Sequence, residues 1–214
     1  MRNPLKNKKV LVTSGPTWVR IDDVRVIANV SSGAMGQLIA LELLRNAARV
    51  TLLQGPVQVA TIKASLRTKN FTFYEELRAL FDEELKKHFD VVIHAAAVAD
   101  YRPVKSVAGK IRSDKKNLTL TLTRTRKLID LIRARQPNAI LVGFKLEPTL
   151  KRAGAFAVAK PLFDDADCDL AVVNSRTASA YSGFIVNKDG KVLAAGNSRE
   201  RIAKELIRAV KEKL

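Results

Sequence analysis

The chain has 214 residues and carries 38 Lys+Arg against 21 Asp+Glu, a net charge of +17. That length suits one α/β domain with a sizeable core, or two small ones. No apolar run is long enough to cross a bilayer, and the opening M-R-N-P-L-K-N-K-K has no apolar segment of the kind a secretory leader needs. A lone cysteine, Cys168, excludes an internal disulfide and reads as a packing thiol in a reducing, cytoplasmic setting.

Taken in chain order, V-L-V-T at 10–13 predicts a strand running into the loop S-G-P-T. Met35, Ile39 and Leu43 recur at helical spacing, and V-T-L-L at 50–53 predicts a second strand stopped by Gly55-Pro56. F-T-F at 71–73 reads as a brief third strand. Leu77, Leu80, Phe81, Leu85 and His88 read as the inner face of a helix. D-V-V-I-H-A-A-A at 90–97 is a continuous apolar run, as expected of a parallel strand covered on both faces. Residues 98–116 look like a basic loop, and Leu118, Leu120 and Leu122 alternate with threonines as in a half-exposed strand. A short helix from Lys127, a strand at 139–144, a helix at 148–160 and a strand at 168–173 follow. Short strands at 184–186 and 191–193 flank N-K-D-G, with its Asp-Gly hairpin signature, before an amphipathic helix from Arg199. This alternation predicts an α/β fold: a doubly wound, mostly parallel Rossmann-like sheet with helices on both faces and a C-terminal β-hairpin. Residues 1–214 read as a single domain with ligands at the carboxyl ends of the strands.

Two common nucleotide devices are missing. No G-x-G-x-x-G joins the first strand to its helix, and the second strand ends Leu53-Gln54-Gly55 without the carboxylate that a dinucleotide ribose needs. No G-x-x-x-x-G-K-[ST] occurs either. What remains is Ser31-Ser32-Gly33 at a helix start, a place where free N–H groups and the dipole favour phosphate, though the same residues also suit a plain cap. Ala95-Ala96-Ala97 leaves bare backbone at a strand end. Asp100 then stands ready for ribose hydroxyls or for a surface ion pair, and Lys110 for a triphosphate or for water. His88 and His94 read as structural, and no Cys/His cluster has metal-ligand spacing. Basic residues are dispersed and aromatics total only 6%, which argues against a specific nucleic-acid partner. Two other classes stay open: an NAD(P)-dependent short-chain reductase-like enzyme, and a basic nucleic-acid-binding module.

The ordered set V-L-V-T-S-G-P-T, R-V-I-A-N-V-S-S-G-A-M-G, A-A-A-V-A-D-Y-R, G-K-I and V-G-F-K-L-E strongly resembles the phosphopantothenate–cysteine ligases, the phosphopantothenoylcysteine synthetases of coenzyme A biosynthesis. The resemblance runs from about residue 8 to 210. It implies joining of 4′-phosphopantothenate to L-cysteine through an acyl-nucleotide, with CTP (or ATP) as co-substrate and Mg²⁺ arriving with the triphosphate. It implies nucleotide-binding roles for Ser31, Ser32, Gly33, Ala96, Asp100, Lys110, Phe144 and Lys160. Arg25, Asn29 and Ala97 would serve the other substrate, with Asn29 and Lys110 the catalytic pair. The resemblance also implies a homodimer, joined through the extended segment around Arg25, with Lys110 on a mobile closing loop. The chain departs from the family at Thr125-Arg126-Lys127-Leu128, where an Asn-Pro-Asp-Ile-like turn is usual, and it lacks a second lysine after Lys160.

Overall fold

The computed structural model describes residues 3–57, 66–114, 116–176 and 180–214. β1 (Lys9–Ser14) is buried from Val10 onward and runs into a small antiparallel hairpin of β2 (Trp18–Arg20) and β3 (Val26–Ala28). α1 (Ala34–Arg45) leads to β4 (Arg49–Gln54) and β5 (Arg67–Asn70), and α2 (Tyr74–Glu84) leads to β6 (Val91–His94). A two-stranded ribbon of β7 (Tyr101–Pro103) and β8 (Leu122–Arg124) precedes α3 (Leu128–Arg135) and β9 (Ile140–Leu146). α4 (Ala155–Asp164), β10 (Leu170–Arg176), β11 (Tyr181–Asn187), β12 (Val192–Gly196) and α5 (Arg199–Lys211) complete the chain.

Eight strands form one sheet in the order β12-β11-β10-β9-β6-β1-β4-β5, with β11 running against the other seven. Successive side chains of a strand face opposite ways, and the two faces are covered by different helices. Val10, Val12, Val91 and Ile93 pack with Ile39 and Leu43 of α1 and with Ile202, Leu206 and Val210 of α5. Leu11, Val92 and Leu141 pack on the other face against Leu77 and Phe81 of α2 and Ile132 of α3. Emptying one of these fully buried sites, as in Leu77→Ala, costs about 2–5 kcal/mol. Buried Cys168 lies in the second cluster, where desolvation pushes its thiol pKa up to about 12, as suits a packing residue.

From β1 the chain moves outward through β4 and β5, then returns to place β6 on β1's other side. The strand order therefore reverses between β1 and β6, and in open α/β sheets the crevice forms at such a reversal. Here the two strand ends are stitched together. Ala97 N–H donates to Gly15 O (3.0 Å) and Thr17 N–H to Ala97 O (3.2 Å), while the Thr17 hydroxyl accepts from Ala99 N–H (2.9 Å).

Several sequence expectations shift. The strand predicted at 71–73 lies earlier, at β5. Phe71 is core and Phe73 starts α2, whereas the charged R-T-K-N edge strand is held because Arg67 and Lys69 both pair with the buried Glu84 carboxylate. α2 ends at Glu84, so His88 is exposed instead of facing inward. β6 stops at His94 because Ala95–Ala97 turn off the ladder toward Pro16. The basic loop contains β7. Of the alternating leucines only Leu122 joins a strand, and Leu118, Leu120 and Leu122 are all exposed. The helix expected at 148–160 begins at Ala155 and continues through Pro161. Glu147, ahead of Pro148, stays non-helical, with its N–H on Asn174 O. The C-terminal hairpin is longer than predicted, and only Gly190 has positive φ (81°), so its connection is a type I turn closed by glycine instead of a two-residue Asp-Gly turn.

Candidate active site

The Ser31–Gly33 segment delivers the chain into α1 directly beside the end of β1. Gly33 caps the helix in the left-handed region (φ 74°), and a Cβ there would fall 2.3 Å from Val57 Cγ1. At Gly36 a Cβ would lie 2.5 Å from Ser14 Cβ. Both glycines are thus required by the fold itself: they let the helix start sit against Ser14, whose hydroxyl donates to Gly33 O (2.7 Å). The hydroxyls of Ser31 and Ser32 reach only the nearby N–H groups of Gly33 and Ala34, each at 3.4 Å. α1 has no side-chain cap at Gly33 and no acidic residue in its first turn. Its positive end opens on a cavity of about 180 Å³ lined by Ser31–Gly36, Ala95–Ala97, Phe144, Asn174 and Arg199.

A second cavity of about 510 Å³ shares Val30, Ala96, Ala97, Phe144 and Leu146 with the first, so the two form one cleft along the sheet's carboxyl edge. It is also lined by Asn29, Asp100, Thr125–Ile129 and Leu162. Thr125 fixes this wall: its hydroxyl donates to Ala99 O (2.6 Å) and its N–H to Asp100 O (2.9 Å). The Asn29 amide donates to Val98 O (2.9 Å) and, more weakly, to Ala97 O (3.4 Å). Two carbonyl acceptors fix the amide's orientation, since its oxygen facing them would repel. His94 lines the floor. Desolvation alone lowers its pKa to about 4, so it is neutral at physiological pH, with Nδ1 2.9 Å from the Thr13 hydroxyl.

Arg25 and Lys110 lie elsewhere. Neither lines the cleft, but the structure brings their segments together on Asp22, whose side chain is fully buried. Asp22 accepts from the N–H groups of Val24 (2.9 Å), Arg25 (2.7 Å) and Ile111 (3.0 Å), and from Arg25 Nη1 (2.6 Å). Arg25 Nη1 also donates to Ile111 O (3.1 Å). Next to it, Asp23 and Gly109 exchange hydrogen bonds of 2.7 and 3.2 Å. Burial acts to raise the Asp22 pKa, but the Ile111, Val24 and Arg25 N–H donors and the guanidinium outweigh it and hold it at about 2. The loop expected to be unpinned is therefore tied at Val107, Gly109 and Ile111 to the β2–β3 turn, with the Lys110 side chain exposed between the ties.

The structure thus gathers Asn29, Ser31, Ser32, Gly33, Ala96, Ala97, Asp100 and Phe144 into one cleft. Lys160 does not join them: it is exposed on α4 and pairs with Asp164 one turn on. Asn174, Arg199 and Asp22 were not anticipated. Asp22 carried one local signal, an acid two residues before a turn amide that it caps. Among the described residues no group of three or more His, Cys, Asp or Glu is placed to hold a metal ion, and no helix is long and apolar enough to cross a membrane.

Residues 5–214 match the model of the DNA/pantothenate metabolism flavoprotein C-terminal domain. The chain is 36% identical over 210 residues to the coenzyme A biosynthesis bifunctional protein CoaBC of Thermococcus kodakarensis, covering 98% of this chain but only 49% of that relative's length. The DNA/pantothenate metabolism flavoprotein of Streptococcus pneumoniae superposes with a TM-score of 0.86 at 27% identity, covering 97% of this chain and all of that one. A Cab2 mutant in complex with phosphopantothenate-cysteine superposes at 0.76 and 19% identity over 97% of this chain and 87% of that one, a likeness of fold.

Proposed function

Because the chain belongs to the DNA/pantothenate metabolism flavoprotein C-terminal domain family, we propose that it joins 4′-phosphopantothenate to L-cysteine by way of an acyl-nucleotide. One observation carries the reading. A single cleft at the strand-order reversal sets an uncapped helix N-terminus beside an asparagine amide and a carboxylate. The cavity at Ser31–Gly33 suits the phosphates, and the larger one, with Asp100 and Phe144, suits the ribose and base. In the first step a carboxylate oxygen of phosphopantothenate attacks the α-phosphorus, and the bond to the β-phosphate breaks as pyrophosphate leaves. In the second, the cysteine amine attacks the acyl carbon, loses a proton and expels the nucleoside monophosphate. Asn29 keeps its strong bond to Val98 O and turns its loosely held second N–H to the oxyanion that develops at that carbon. CTP is the favoured nucleotide and ATP the alternative. Mg²⁺ would ride chiefly on phosphate oxygens and water, since the described residues offer no three-acid cluster.

Lys110 is exposed on the Asp22 clamp, Val24 beside it is 64% exposed, and Val30 at the cleft is 90% exposed. This supports a homodimer in which the clamp of one copy completes the cleft of the other. One ligase domain over 1–214 is supported by the continuous sheet and the family match. The test is direct: pyrophosphate release and 4′-phosphopantothenoylcysteine formation on mixing protein, phosphopantothenate, cysteine, Mg²⁺ and CTP or ATP. Turnover with CTP exceeding that with ATP is expected. No product with either nucleotide overturns the reading.

A further inference from the structure

α5 starts at Arg199, behind Ser198, whose hydroxyl caps the helix by accepting from Arg201 N–H (3.2 Å). Arg199 is half-buried. Its guanidinium lies over the Tyr181 ring, 5.1 Å from the centroid, and lines the smaller cavity beside Asn174. The N-terminus of α1 lines the same cavity. Other partly covered arginines of this chain face carboxylates: Arg25 faces Asp22, and Arg133 faces Asp169 (2.7 Å). Among the described residues Arg199 makes no ion pair, although it is held in place by an aromatic ring. A held cation and a positive helix end thus share one small cavity, an arrangement that a bound anion relieves.

We propose that Arg199, with Asn174 beside it, forms the subsite for the terminal phosphates of the nucleoside triphosphate, the part that departs as pyrophosphate. This rests on the nucleotide reading of the cleft. The guanidinium offers several donors in a fixed fork that matches phosphate oxygens. As the bond between the α-phosphorus and its bridging oxygen breaks, the electron pair moves onto the pyrophosphate, where Arg199 stabilises the added charge. The α-phosphate, nearer Asn29, does not depend on it. Arg199 accordingly separates triphosphate from monophosphate binding.

Calorimetric titration of the full chain with CMP, with CTP plus Mg²⁺, with ATP plus Mg²⁺ and with inorganic pyrophosphate tests this. Arg199→Met keeps an apolar stem over Tyr181 and removes the charge, while Arg199→Lys keeps the charge. The methionine variant should lose about 10- to 100-fold in affinity for triphosphate and pyrophosphate, the loss expected for one charge-assisted partner. CMP affinity should be unchanged, and the lysine variant should recover most of the loss. Unaltered triphosphate binding in Arg199→Met, or an equal loss for CMP, overturns the subsite while leaving the nucleotide cleft standing. A folded wild-type protein that binds neither CTP nor ATP overturns both. Should the methionine variant not fold, arginine modification by phenylglyoxal on the wild type decides. Pyrophosphate should shield Arg199, read by peptide mass, and modification at the same rate with and without pyrophosphate overturns the subsite.

Discussion

The cleft and the Asp22 clamp carry the two halves of the predicted site, and they are built in opposite ways. In the cleft, position comes from backbone: parallel strands fix Ala95–Ala97 against Gly15–Thr17, and two glycines seat α1 on Ser14. Many small ties share the work. In the clamp a single carboxylate gathers three backbone N–H groups and a guanidinium from two segments some ninety residues apart, Val24–Arg25 and Ile111 (|i−j| = 89 for Asp22 and Ile111). The cleft should therefore keep its shape when any one polar contact is lost and fail by loss of binding or chemistry. The clamp should fail all at once when one residue changes.

Asn29→Asp separates chemistry from binding most sharply. The new carboxylate opposes a developing oxyanion, so single-turnover ligation should fall by about 10²–10³, the cost of losing such a donor, with nucleotide affinity retained. Ligation unchanged from wild type would remove Asn29 from the reaction. Acid should distinguish the regions next. His94, under the cleft, has a folded pKa below its unfolded value of about 6.5, so the unfolded state binds the proton first and stability falls as pH drops from about 6.5 toward 4. Between pH 7 and 4.5 that amounts to about 2–3 kcal/mol, readable as a pH dependence of urea unfolding that His94→Gln flattens. Asp22 loses stability in the same direction, as pH falls, but in a lower window. Its depressed carboxylate contributes above the unfolded pKa of about 3.9 and is lost only as pH falls toward about 2, so the clamp should be indifferent to pH from 5 to 8. Asp22→Ala should raise proteolytic cleavage within residues 105–114 by roughly tenfold, because three amides lose a buried acceptor. Equal cleavage of both proteins would show that the loop is held by other means. Lys110→Ala should slow ligation yet leave folding stability within about 0.5 kcal/mol, as for other exposed side chains, and a larger loss in urea unfolding would give Lys110 a structural role.

The sequence disclosed the cleft better than the clamp for a physical reason. β1, β4, β6, β9 and β10 are buried on both faces and must be apolar, and α1 shows its core stripe at Ile39 and Leu43. Ser31–Gly33 and Ala95–Asp100 sit at the ends of those elements, so the fold class alone carries them to one edge of the sheet. β5 was missed because R-T-K-N is held by ion pairs to Glu84 on α2, which leave no hydrophobic period. Asp22 and Arg199 owe their roles to partners remote in sequence, Ile111 for the first and the α1 end for the second. The glycines were half legible: their need for space was evident, but Ser14 and Val57 fill that space at Gly36 and Gly33.

In the proposed homodimer two copies of the chain share each site, the cleft of one receiving the clamp of the other. Arg25→Gln and Asn29→Asp, each expected to be inactive alone, test it when co-expressed and purified together. Random pairing makes half of the dimers mixed, each with one site that has both an intact Arg25 and an intact Asn29, so product formation should recover to about a quarter of the wild-type rate. A mixture as inactive as either variant alone, in a preparation shown to contain the mixed dimer, would contradict the account.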